Sequence, residues 1–143
     1  MVKRYGKPQL MAARIIQIGN DILRQRGKAV ERVDAREIQD IVSKLIQVMR
    51  EQELVGIAAP QMGYGVRIFV TEIRATSLRP NLAEHDDLRV FINPKILKLS
   101  RQTVIIYEGC GSVAHGQLLG PVKRPKQVMV RALDKVLLPS ERA

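Results

Sequence analysis

Asp34-Ala35-Arg36-Glu37, followed by Ile38, Ile41, Val42, Leu45, Ile46 and Met49, is the stretch that decides the fold class. An Asp with a Glu three positions on has the pattern of a capping box, in which two side chains satisfy backbone N–H groups of the opening turn. The apolar residues then recur at three- and four-residue spacing, which predicts a helix to about Glu53 with one buried face and with Gln39, Lys44, Gln47 and Arg50 outward. Beyond it the period falls to two or gives way to continuous apolar runs, at 66–71, 89–92, 103–107 and 127–132. All four are predicted strands. Gly63-Tyr64-Gly65, Asn93-Pro94 and Gly116 read as turns between them, and the polar stretch 75–87 as a surface loop. A capped helix followed by short, mostly adjacent strands predicts an α+β fold, with mixed or antiparallel sheets around the helix. No internal repeat interrupts this pattern, so residues 1–143 read as a single domain.

Composition narrows the class. With 143 residues, 45% hydrophobic and 27% charged, the chain is large enough to bury a core and is not of disordered type. The formal charge of +10 attracts polyanions such as RNA or a ribosome surface. Three Tyr, two Phe and no Trp leave few rings on which bases stack, so a sequence-specific nucleic-acid reader is not expected. The single Cys makes no intramolecular disulfide, no run reaches the length of a membrane span, and no secretory signal is seen. A cytoplasmic protein is expected. The opening residues 1–14 carry basic and no acidic residues, a weak likeness to an organelle transit peptide that lacks its usual Ser.

Two short segments carry the chemistry. Gly56-Ile57-Ala58-Ala59-Pro60-Gln61 follows the helix directly, and its small residues let backbone lie close to a ligand or to a neighbouring strand. Gln61 at its end has an amide N–H able to meet an oxygen that gains negative charge. Glu108-Gly109-Cys110-Gly111-Ser112 holds the lone cysteine between two glycines. A cysteine after an apolar strand reads as a small buried hydrophobe. The flanking glycines also suit a thiolate approached by peptide N–H groups, and the residues alone leave both readings open.

The two segments together, in this order and spacing, resemble peptide deformylase, the enzyme family that removes formyl from the N-terminal methionine of nascent proteins. The likeness also takes in Ile18-Gly19, Leu23-Arg24, Phe91-Ile92-Asn93-Pro94, Val122-Lys123-Arg124-Pro125 and Val130-Arg131-Ala132-Leu133-Asp134. It implies the peptide-deformylase fold and a metal-dependent amide hydrolase. Cys110 would be a thiolate ligand of iron(II) or zinc. Gln61 and the Gly111 N–H would stabilise the oxyanion, and Gly56 and Ile57 would lie beside the bound peptide and its methionine pocket. The implied partners are a formylated nascent peptide and the ribosome surface.

Departures accompany the likeness. Leu54 stands where the family has the first Gly of its opening motif, Gly111 where it has Leu after Cys, and Ala114 where it has Pro. The family's His-Glu-x-x-His, which supplies two ligands and the general base, has no counterpart, since no His-x-x-x-His occurs in the 143 residues. His85, in the acidic stretch Glu84-His85-Asp86-Asp87, and His115 lack that helical spacing. The expectation is a deformylase-like domain shortened at its C-terminus, without the metal-binding helix and with impaired or no hydrolysis. Two alternatives are a non-catalytic peptide- or ribosome-binding module and a truncated product without function.

Overall fold

The periodic stretch forms helix α1, Arg36–Glu51, in the computed structural model, which describes residues 14–133. The six residues expected on its inner face are all buried, together with Val48. Its start differs from expectation. The N-cap is Ala35, with no side-chain cap bond. Asp34 instead pairs with Arg32 at 3.3 Å, an alternative partner that takes the carboxylate away from the helix N-H groups.

The far end of α1 is secured by the sheet. Arg74 donates to the carbonyls of Leu54 (2.9 Å), Met49 (3.2 Å) and Arg50 (3.4 Å), placing a cation on C-terminal groups that have no acceptor role inside the helix. Beside it Arg50 makes a bidentate contact with Glu72, 2.9 Å on each oxygen.

Six strands follow: β1 (Gly56–Ala58), β2 (Ile68–Ile73), β3 (Asp86–Leu99), β4 (Thr103–Gly109), β5 (Leu119–Pro125) and β6 (Val128–Leu133). One sheet has the order β1-β2-β3-β6, while β4 and β5 form a separate ribbon. All these pairings are antiparallel, so of the two sheet types expected only the antiparallel one is found among the named strands. The α1 stripe packs on the sheet through Ile57, Ile68, Val70 and Ile92 to make the core. The other end is more open: Ile96, Ile105, Leu119 and Met129 are each more than half exposed. A ribbon of two strands has no inner face of its own to bury.

Asn93-Pro94 is not a turn. β3 continues through it, with a register shift against β6 between Ile92 and Lys95 and Asn93 at φ 53°. A bulge accommodates Pro94, which has no N–H for the ladder. The Asn93 side chain exchanges two 2.8 Å hydrogen bonds with the backbone of Val30, donating to its carbonyl and accepting from its N–H. This pins the segment before α1 to the sheet. The basic opening stretch, apart from Arg14, and the end of the family-like match at Asp134 lie outside the described residues. No helix among the described residues is long and apolar enough to cross a membrane.

Leu45→Ala, at a fully buried position, is expected to lower stability by about 3 kcal/mol in urea unfolding. Arg50, hydrogen-bonded to Glu72, holds that carboxyl below the usual Glu range against the opposing cost of burial. Its folded pKa is therefore lower than its unfolded one. The stabilisation is complete above the unfolded value, about 4.3, and is lost as pH falls through the folded one. Glu72→Gln is expected to flatten that acid limb in unfolding curves recorded from neutral to acid pH.

Candidate active site

Gln61 lies in a one-turn 3-10 helix, Ala59–Met62, immediately after β1. Pro60 sets its opening, and the turn ends at Gly63, whose φ of 86° favours glycine. Gln61 Oε1 accepts the Ala58 N–H at 2.9 Å, and this fixes which end of the amide is oxygen. Nε2 donates to Ser112 Oγ at 3.1 Å and lies 3.7 Å from Cys110 Sγ. The two sequence segments thus meet through one carboxamide.

Cys110 follows β4, with its thiol exposed. Its neighbour Gly111 is buried, as is Ser112. Two clefts open on either side of this point. One, about 190 Å³, is lined by Leu54, Gly56, Gln61, Cys110, Gly111 and Arg79 among others. The second, about 320 Å³, runs past Ile18, Leu23, Arg24, Gln61 and Cys110. Gly56 lines the first, and a Cβ there would come 3.2 Å from the Val70 carbonyl of β2, so close strand approach accounts for the glycine. Ile57 is 3% exposed with its side chain in the core, and it is not among the residues that line either cleft.

The metal implied by the family resemblance needs more ligands than stand here. Among the described residues no group of three or more His, Cys, Asp and Glu is placed to hold an ion. Cys110 has Gln61 as its hydrogen-bonding neighbour, a neutral donor. His115 is engaged through its backbone N–H with Gln17 Oε1, and His85 belongs to an exposed loop. Glu108, two residues before the thiol, is held by Arg124 through contacts of 2.9 and 2.7 Å. That hydrogen-bonded guanidinium keeps its carboxyl below the usual Glu range. One thiolate does not fit a tightly held divalent ion, which takes three or more protein ligands.

Two contributors escaped the sequence reading. Residues 15–18 lie across both motifs: Ile16 N–H donates to Gln61 O and Ile18 N–H to Ser112 O, each at 2.8 Å. Within this clip, Gln17 bonds both Gly111 and His115. The other is a contact between two departures from the family pattern. A Cβ on Gly111 would meet Ile15 Cδ1 at 3.0 Å and Leu54 Cδ1 at 3.4 Å, so Leu54 fills space beside the residue whose side chain is missing.

A small antiparallel sheet carrying one core helix, with a thiol and an amide donor brought together by two loop motifs, defines an α+β protein of two-motif, thiol-and-amide type. The polypeptide deformylase family model matches residues 12–139. The chain is 36% identical to the peptide deformylase of Pseudothermotoga lettingae over 125 residues, covering 87% of this chain and 64% of that protein. With the human mitochondrial peptide deformylase it shares 33% over 141 residues, 90% of this chain and 56% of the relative. A class I type b peptide deformylase from Acinetobacter baumannii, solved with Met-Ala-Ser bound, superposes with TM-score 0.77 at 29% identity, over 84% of this chain and 75% of that one. The chain belongs to the polypeptide deformylase family. It spans less than two thirds of the length of the first and second of these relatives.

Gly111→Leu is expected to cost about 1–3 kcal/mol in chemical denaturation, because its branch must displace Ile15 and Leu54. Combining it with Leu54→Gly, which vacates that space, is expected to cost less than the sum of the single changes.

Proposed function

We propose that this chain holds the formylated N-terminal end of a nascent peptide in the cleft between Leu54-Val55-Gly56 and Gly109-Cys110-Gly111, and that the 143 residues by themselves hydrolyse it poorly or not at all. The asymmetry around Cys110 carries this reading: the Gln61 amide meets the thiol, and among the described residues no group of three or more His, Cys, Asp and Glu is gathered there. Gln61 is held by Ala58 and Ser112 with one N–H directed toward Sγ, a 3.7 Å contact that an incoming formyl oxygen replaces at little cost. The Gly111 N–H is the second donor, since it has no acceptor among the described residues. Each such donor is typically worth about 3 kcal/mol when charge develops on the oxygen.

Hydrolysis also needs an activated water and a group to take its proton. Glu108, committed to Arg124, is not placed for that role. The family resemblance assigns it to the Glu of a His-Glu-x-x-His segment, together with two more ligands for iron(II) or zinc. These residues are not in the sequence given. The setting is cytoplasmic, and the formal charge of +10 favours encounter with the ribosome surface where formylated ends emerge.

Titration calorimetry with formyl-Met-Ala-Ser, with formate assayed in the presence of iron(II) or zinc, tests both halves. Saturable peptide binding, formate release at background and far less than one ion per chain are expected. One tightly held ion per chain with sustained formate release would overturn the impaired-enzyme reading, and absence of peptide binding would overturn the binding one. Grafting a helix with His-Glu-x-x-His is expected to raise formate release.

A further inference from the structure

Three successive carbonyls of the Cys110 loop are each held by a different donor. Cys110 O accepts from Val113 N–H at 2.9 Å and Ser112 O from Ile18 N–H at 2.8 Å. Between them Gly111 O accepts from Gln17 Nε2 at 2.8 Å. Position 111 lacks the side chain that would restrict its backbone, so this middle peptide unit has the most freedom to turn. Gln17 is the hydrogen-bonding partner that holds it.

The Gln17 carboxamide is fully committed. Nε2 also donates to Ile15 O at 3.0 Å, and Oε1 accepts the His115 N–H at 3.0 Å. Two carbonyls and one N–H around it fix its orientation. His115 is the middle of three residues with positive φ, Ala114 at 47°, His115 at 53° and Gly116 at 79°. Two of them carry side chains in a region that is costly without outside support. Gln17 therefore anchors both the free glycine and the strained turn behind it.

We propose that Gln17 is a positioning residue for the Gly111 N–H. In a trans peptide this N–H points opposite to Cys110 O, which is turned toward Val113, so the donor is directed away from the turn. Locking the next carbonyl onto Gln17 keeps it there. The functional consequence, stronger hold on a formyl oxygen, rests on the donor role proposed for Gly111, while the positioning stands apart from it.

NMR of the full 143-residue chain separates the two. In Gln17→Leu the Gly111 and His115 amide resonances are expected to shift, and the Gly111 order parameter to fall from about 0.85 toward 0.6 or below, with α1 resonances unchanged. Gln17→Glu supplies the second variant, and it serves also if the Leu variant does not fold. Its ionised carboxylate faces two carbonyls. Its protonated form donates to Gly111 O and accepts from His115 N–H, so wild-type Gly111 resonances are expected to return as pH falls through the carboxyl pKa, at or above about 4.3. An unchanged Gly111 order parameter in Gln17→Leu, or no pH-dependent return in Gln17→Glu, overturns the positioning role. In the binding arm, Gln17→Leu is expected to weaken formyl-Met-Ala-Ser about tenfold and to leave Met-Ala-Ser unaffected. A disordered Gly111 with both affinities intact overturns the donor role of Gly111 and upholds the positioning. Failure of wild type to bind either peptide counts against the proposed function, and the resonances still decide on Gln17.

Discussion

Two backbone hydrogen bonds of 2.8 Å, Ile16 N–H to Gln61 O and Ile18 N–H to Ser112 O, join the opening segment to both motif loops. Everything at the thiol depends on that clip. Gln61 follows β1, which is positioned by the core beneath α1, whereas Cys110 opens the loop between β4 and β5, a ribbon that sits outside the main sheet. Burial orients the first loop through Ile57 and Ala59. The second has no comparable apolar anchor except Ile15 and Leu54 over Gly111, so polar contacts from residues 15–18 take that part.

The groups in contact with the thiol are neutral. Guanidinium groups pair with Glu72 and Glu108, Arg50 with the first and Arg124 with the second, and the hydrogen-bonding neighbour of Cys110 is the Gln61 amide. Such donors suit an oxygen that gains charge during a reaction. They suit a divalent cation poorly, since Gln61 presents its N–H side to the sulfur. The described residues bring together a thiol, a hydroxyl and an amide donor, and no group of three or more metal-ligating side chains.

What was legible in the sequence followed from periodicity and local pattern. The stripe from Ile38 to Met49 has the helical period, and every residue of it is buried. The cap was misread because Arg32, two residues away, competes for Asp34. Asn93-Pro94 looked like a turn because the dipeptide gives no hint of Val30, the cross-chain partner that makes a bulge favourable there. β1 and β5 were missed: three residues of Gly-Ile-Ala carry almost no strand signal, and Leu119–Pro125 contains two prolines that ordinarily argue against one. Gln61 and Cys110 stood out by motif. Gln17 did not, since its partners are 94 and 98 positions away. Leu54 and Gly111 looked like separate losses, and only their proximity turns them into one packing exchange.

The sheet order β1-β2-β3-β6 also divides the domain into local and non-local pairings. α1, β1, β2 and the first half of β3 are contiguous in the chain, and β4 with β5 is a local hairpin. β3 meets β6 across that hairpin, so their pairing closes a longer stretch of chain than the hairpin's own. The glutamine-bearing turn thus belongs to the contiguous, helix-backed part of the domain, and the cysteine to the part that is joined to it across the chain.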